Sequence, residues 1–215
     1  DGTKQLFEVN FPGVTCIAIT VRQITNGDFD VSSIVDFSGD NVIVTRTDMN
    51  HAAEIFSYNL KKKSWKQLTN VNTNTYNSLA LSKTVRRYVT TTDGKKMLVW
   101  VILPPNFDAN KKYPTLLYCQ GGPQSPLTQS YSFRWNFQLM AANGYVVVAP
   151  NRRGMQGHGV EWNEQISKDW GGQVMQDYLS AIDDVAKEKY VAADRLGCVG
   201  ASYGGYSAFY LAGIH

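Results

Sequence analysis

Gly200-Ala201-Ser202-Tyr203-Gly204 lies between a short apolar run and a helix-forming stretch, and no other five residues limit the fold of this chain so tightly. A strand that turns sharply into a helix with a serine at the apex needs small residues two positions before and two after. The apical serine is held in a strained backbone conformation that lifts its hydroxyl above the sheet, and only surrounding packing keeps such strain in place. The entering strand and departing helix nearly touch. Gly200 and Gly204 meet that demand, and Gly205 adds clearance. Leu196-Gly197-Cys198-Val199 reads as a short buried strand before the turn. Residues 207–212 (SAFYLA) read as the helix after it, with Tyr206, Phe209 and Tyr210 at helical spacing. Without these flanks the same residues would make only a glycine-rich turn.

The chain has 215 residues, 43% of them hydrophobic, enough for one large domain or two small ones. Its net charge of +3 is small and scattered, so nothing points to nucleic acid or to an anionic membrane as a partner. The densest basic run, Lys61-Lys62-Lys63, falls between two strand-like segments and reads as a solvated hairpin tip. No apolar stretch approaches the ~20 residues of a spanning helix, and residues 1–30 lack the pattern of a secretory leader. Cys16, Cys119 and Cys198 all sit in strand-like apolar runs and read as buried free thiols. That leaves a periplasmic or a cytoplasmic location open. No motif for a metal or a cofactor is present.

Two halves follow different rules. Residues 1–83 read as all-β: a β-branched run at 14–21, a strand at 34–37, the turn Ser38-Gly39-Asp40-Asn41 and a strand at 42–47. A further pair at 54–58 and 64–68 flanks the lysine tip. Short strands at such spacing suit a sandwich, a barrel or propeller blades. Residues 69–83, rich in Asn and Thr, read as a connector. Then come strands at 85–92 and 95–103 around Asp93-Gly94, which predicts a two-residue hairpin turn, and Pro104-Pro105 stops the sheet.

From Tyr113 onward strands and helices alternate. Strands are expected at 115–119 and 145–149, with a helix at 133–143 closed by Gly144 between them. Val174, Tyr178, Ala181, Ile182 and Val185 fall on one face of a second helix, with Lys187 and Lys189 in its last turn. Asp169 and Asp177 are expected to stabilise that helix's N-terminal end. Strand, helix, strand, helix, strand predicts an α/β fold with a mostly parallel sheet covered on both faces.

The chain resembles the prolyl oligopeptidase family of serine peptidases, above all its bacterial dipeptidyl-peptidase and acylaminoacyl-peptidase branches. The residues that carry the resemblance are Glu54-Ile55-Phe56 to Leu68-Thr69, Pro104-Pro105 with Lys111-Lys112-Tyr113-Pro114, and Gly121-Gly122-Pro123. Asn151-Arg152-Arg153-Gly154, leading to Gly159 and Glu161-Trp162, and the elbow GASYGGY complete the set. The resemblance implies that residues 1–83 are the last part of a β-propeller and that 84–215 are the N-terminal half of an α/β-hydrolase domain. It further implies a peptidase of short peptides that forms an acyl-enzyme on Ser202, with no cofactor and no metal.

A serine hydroxyl is a weak nucleophile until a base takes its proton. His51 and His158 precede the elbow, and His215 stands thirteen positions after Ser202, near the far end of the same helix. The family's order of serine, aspartate, histidine therefore implies that the other two triad members lie on a C-terminal segment of the same polypeptide, of which this chain would be a fragment. The resemblance assigns the oxyanion site to the Tyr203 N–H together with Gln120 or the Gly122 N–H in the loop Gln120-Gly121-Gly122-Pro123. Gln120 is a departure, because dipeptidyl peptidases usually carry tyrosine there and acylaminoacyl peptidases histidine. Tyr203 is also implied to wall the pocket for the residue before the scissile bond. Arg152 and Arg153 read as braces for a glycine loop rather than as binders of substrate carboxylates. A carboxylesterase-type hydrolase and a non-catalytic binding protein of the same fold remain alternatives, and self-association into a homo-oligomer stays open.

Overall fold

The structure, a computed structural model, describes residues 2–10 and 19–214. The β-branched run at 14–21 falls mostly outside them, as do Cys16 and His215. The chain divides into two compact units. One contains Leu79–Leu127 and the chain from Arg134 onward, and the other contains Thr3–Ser78 and Thr128–Phe133.

The second of these units is all-β. Strands β1 (Phe7–Asn10) and β2 (Thr20–Gln23) pair antiparallel. Strands β3 (Asp30–Ser38), β4 (Asn41–Asp48), β5 (His51–Asn59) and β6 (Ser64–Gln67) form an antiparallel meander in that order. Gly39, at φ 57°, opens the turn between β3 and β4, and the lysine tip is an exposed turn between β5 and β6. Leu6, Phe29, Val31, Val42 and Val44 make the core, with Trp65 packed against it. The predicted connector is not wholly irregular: α1 (Thr73–Asn77) occupies its middle.

Asp30 is buried at the start of β3 and ties three chain segments together. Its carboxylate accepts from the Lys4 N–H at 2.8 Å, the Thr128 hydroxyl at 2.5 Å and the Gln129 N–H at 3.3 Å.

The other unit is α/β. Hairpin β7 (Lys83–Thr90) and β8 (Lys96–Leu103) is followed by β9 (Tyr113–Cys119), α2 (Phe137–Ala142), β10 (Val146–Pro150), the short α3 (Val160–Glu164), α4 (Gln173–Ala186), β11 (Val191–Gly200) and α5 (Tyr203–Ile214). The sheet order is β11-β9-β10-β8-β7, with β10, β9 and β11 parallel. The chain moves from β9 to β10 in one direction and from β10 back past β9 to β11 in the other. Crossovers of one hand therefore place α2 and α4 on opposite faces. The buried sets agree: Val99, Val101, Leu117 and Val148 join Val174, Tyr178 and Val185 of α4 in one cluster. Tyr118, on the other side of the pleat, meets Phe137 of α2 with ring centroids 4.8 Å apart. A strand covered on both faces is apolar throughout, and Met97 through Leu103 are all buried.

Several expectations need correction. The helix at 133–143 begins only at Phe137, because the Asn136 side chain accepts from the Leu139 N–H and sets the N-terminus there. Gly144 at φ 88° follows its end as expected. The 85–103 hairpin closes through a wider loop than the two-residue turn: Thr91 N–H donates to the Lys95 carbonyl at 2.9 Å, and Gly94 alone in that loop is left-handed. Lys187 is the C-cap of α4 and Lys189 lies beyond it. Among the described residues, 196–199 are not buried, and Cys198 is exposed whereas Cys119 is buried. On α5 the buried residues are Tyr203, Gly204, Ser207 and Leu211, while Tyr206, Phe209 and Tyr210 face outward.

Replacing Asp30 with alanine leaves three donors without their acceptor, each costing about 1–3 kcal/mol when buried. Asp30→Ala is expected to lower unfolding free energy by about 3 kcal/mol in denaturant titration, with Asp30→Asn intermediate.

Candidate active site

Strand β11 passes into α5 through Ala201 and Ser202, and Ser202 has φ 56°. A non-glycine residue in the left-handed region costs roughly 1–3 kcal/mol. The neighbouring backbone accounts for its persistence. A Cβ on Gly204 would stand 2.0 Å from the Cys119 carbonyl oxygen. One on Gly200 would stand 2.5 Å from the Gly204 oxygen and 2.6 Å from that of Cys119. No side chain fits either position. Gly205 differs from the expectation: a Cβ there would meet the Gly200 oxygen at an ordinary 3.7 Å.

Ser202 is exposed at the start of α5, and among the described residues nothing hydrogen-bonds its hydroxyl. Tyr203 is the first residue of that helix, so its N–H belongs to the turn whose amides have no helical acceptor. Gly121 comes in beside them, where a Cβ would lie 2.8 Å from the Ala201 oxygen and 3.6 Å from the Ser202 Cβ. Gly122 has φ 47°, and its carbonyl accepts from the Ser125 N–H at 2.9 Å. The elbow and the loop at 120–123 are thus brought together. The Tyr203 ring is buried, packs edge-on to Trp170 with centroids 5.7 Å apart, and its hydroxyl donates to the Trp170 carbonyl at 2.8 Å.

Arg152 braces the loop, as its sequence suggests. Wholly buried, it donates from Nη1 to the Pro123 carbonyl at 2.5 Å and from Nη2 to the Gln120 carbonyl at 3.3 Å. Its Nε reaches the Tyr178 hydroxyl at 3.0 Å, and its Cζ lies 4.8 Å from the Tyr203 ring centroid. Arg153 turns the other way. It forms a two-pronged pair with Asp177 at 2.8 and 3.0 Å, and another with Asp93 at 2.9 and 3.0 Å. Asp177 therefore does not serve the end of α4; it is a buried partner for Arg153. Asp169 does serve that end, accepting from the Gln173 N–H at 3.3 Å. Hydrogen bonds from Arg153 hold the Asp93 carboxyl well below the usual carboxylate range. Sequence reasoning missed Asp93, Tyr178 and Asp177 as members of this support. The apolar stripe of α4 did place Tyr178 inward, and that was the only signal.

Neither described histidine partners Ser202. His51 lies in the all-β unit, where its Nδ1 meets Asp48 at 2.8 Å. His158 is half-buried in the loop after β10, its Nε2 has no partner among the described residues, and burial pushes its pKa down to about 4. Burial pushes the Cys119 thiol up to about 12, so it is no thiolate nucleophile. Among the described residues no group of three or more His, Cys, Asp or Glu side chains stands ready to hold a metal ion.

Residues 131–215 match the prolyl oligopeptidase family. The chain is 48% identical over 210 residues to dipeptidyl-peptidase 5 of Porphyromonas gingivalis, covering 97% of this chain and 30% of that protein. Against dipeptidyl-peptidase 5 of Porphyromonas endodontalis the figures are 48% over 195 residues, 91% and 28%. The chain thus spans less than a third of the length of these curated relatives. Among solved structures it is similar to an acylaminoacyl peptidase in complex with Z-Gly-Gly-Phe-chloromethyl ketone, at TM-score 0.82 and 23% identity, over 97% of this chain and 32% of that one. It is also similar to the Pyrococcus horikoshii acylaminoacyl peptidase, at TM-score 0.77 and 24% identity, over 88% and 30%. The elbow unit accordingly has the α/β-hydrolase fold of those prolyl oligopeptidase-family peptidases.

Two outcomes follow from this geometry. Gly204→Ala is expected to destabilise by roughly 3 kcal/mol or more, as backbone collisions do. Gly205→Ala is expected to be neutral or to stabilise by up to about 1 kcal/mol; thermal melts of both variants compare them. Because folding lowers the His158 pKa, the native state favours neutral imidazole. Its stability contribution is complete above the unfolded pKa near 6.5 and is lost as pH falls toward 4. Unfolding free energy measured at pH 7 and pH 5 is expected to fall less in His158→Gln than in the unsubstituted chain.

Proposed function

We propose that the protein containing this chain is a serine peptidase that hydrolyses short peptides, with Ser202 as its nucleophile. The observation that carries this reading is the exposed Ser202 at φ 56° between two glycines that admit no side chain. Strain at that apex is what presents a hydroxyl for attack on a carbonyl carbon. The attack forms an acyl-enzyme and expels the amine, and water then releases the acid. The developing oxyanion is received by the Tyr203 N–H and by a donor of the loop at 120–123, either the Gly122 N–H or the Gln120 amide. The proximity of Gly121 to Ser202 Cβ supports that pairing. Donors of this kind are worth about 3–4 kcal/mol each in the transition state. Arg152 acts through the loop carbonyls and so positions these donors. Gln120, Gly121 and Gly122 and the elbow then face one substrate carbonyl, and Tyr203 closes the adjoining pocket from beneath.

Residues 1–83, with the four-stranded meander β3–β6, are read as the last blade or blades of a propeller, and 84–215 as the N-terminal half of the hydrolase domain. The triad aspartate and histidine are assigned to a further segment of the same polypeptide. Similarity to dipeptidyl-peptidase 5 favours removal of dipeptides.

The test uses the full-length protein. A fluorophosphonate probe is expected to label Ser202 and to leave Ser202→Ala unlabelled, with peptide nitroanilide hydrolysis falling at least ~10⁴-fold. Labelling elsewhere, or turnover of simple esters with none of peptide nitroanilides, defeats the peptidase assignment. Arg152→Lys, which keeps the charge and loses the planar fork, is expected to lower kcat about tenfold or more with KM little changed.

A further inference from the structure

We propose that the all-β unit carries a second binding site, a pocket of about 290 Å³ that takes the zwitterion of a free amino acid or dipeptide on the guanidinium of Arg46. Arg46, Asp48, His51, Glu54, Phe56 and Tyr76 line it, and it assumes no role for Ser202.

Arg46 follows Val42 and Val44 along the core face of β4, with Glu54 of β5 directly opposite in register. Its Cζ lies 3.9 Å from the Phe29 ring centroid, 5.0 Å from that of Phe56 and 5.2 Å from that of Trp65. Phe29 and Phe56 both meet Trp65 edge-on, at 86° and 89°, so these rings form a rigid box around the cation. Burial lowers the pKa of the guanidinium, yet arginine stays charged in proteins.

Ring faces attract the cation but accept none of its five N–H donors in the plane of the fork. Among the described residues no oxygen accepts from Arg46, although two carboxylates stand close by in the sheet. Both are engaged elsewhere. Glu54 accepts from the Thr69 hydroxyl and, at 3.3 Å, from the Asn72 N–H. Asp48 accepts from the N–H groups of Asn50 and His51 at 2.8 and 2.9 Å and from His51 Nδ1. A fixed, half-buried guanidinium that is open to a cavity, with no oxygen accepting from its N–H groups among the described residues, is a receptor for a planar carboxylate.

The same wall says which carboxylate. A purely anionic ligand would meet the charges of Asp48 and Glu54 beside Arg46, whereas an α-ammonium group on the ligand answers them. Each acid retains unused lone pairs. Cation and acids share one small pocket, so both ligand charges belong to a compact molecule.

Isothermal titration of alanyl-phenylalanine and of free alanine into the full-length Ser202→Ala protein tests this, with N-acetyl and C-amide forms of the dipeptide as probes. Expected is one saturable site that weakens at least tenfold in Arg46→Gln, partly in Arg46→Lys, and at least tenfold for each blocked dipeptide. Preference between alanine and the dipeptide identifies the source. Equal binding by Arg46→Gln with an unchanged melting point, equal binding of blocked and unblocked dipeptides, or no heat from either ligand overturns the proposal. Should Arg46→Gln fail to fold, Arg46→Lys and the blocked probes decide.

Discussion

The carbonyl oxygen of Cys119 is the point around which the α/β unit is assembled. It ends β9, lies in register with Gly200 of β11, and leaves no space for a Cβ on Gly200 or Gly204. Three backbone segments meet there: the end of β9, the end of β11 and the first turn of α5. Because each is held by the others, the two residues between β11 and α5 have little freedom, and Ser202 takes the left-handed conformation left to it. The loop that begins at Gln120 leaves from the same point, so its distance from the elbow is set by the crossing itself. Site geometry here is a by-product of backbone packing.

Two adjacent arginines show how the surrounding charges are accommodated. Burying a guanidinium costs several kcal/mol unless its donors find partners. Arg153 meets that cost with two carboxylates, Asp177 and Asp93, and so joins β10, α4 and the β7–β8 loop. Arg152 finds only neutral acceptors: the Tyr178 hydroxyl and the carbonyls of Pro123, Arg153 and Gln120. Its partners are therefore mostly backbone, and they exist only while the loop at 120–123 keeps its shape. The loop conformation and the burial of Arg152 support each other, whereas Arg153 would hold its carboxylates under modest movement of the glycines.

The legible and illegible parts of the sequence divide along the same line. Alternation and helical spacing marked β4, β5, β9, β10 and α4 because apolar burial depends on composition at a regular period. The elbow was legible because steric exclusion permits only glycine at Gly200 and Gly204. Within the described residues β11 and the α5 aromatics are less covered than their apolar character suggests, since periodicity reports which residues are apolar and not which face another element covers. The start of α2 was set by one side chain, Asn136, within a run that looks helical from Phe133. Asp177 resembles a helix-end acid, and only the fold puts Arg153 against it.

Arg46 presents the same cation in a third setting. Local sequence around it is an ordinary strand, and the ring that lies nearest it comes from Phe29, ahead of β3. Trp65 reaches it from β6, two strands away. A sheet assembles such a box without any local motif, because alternate residues on neighbouring strands share a face whatever their separation in the chain. Arg152 and Arg153 have their donors met by the fold. Arg46 has its charge shielded and its position fixed, but its donors are left to the cavity, which distinguishes a recognition element from a structural brace.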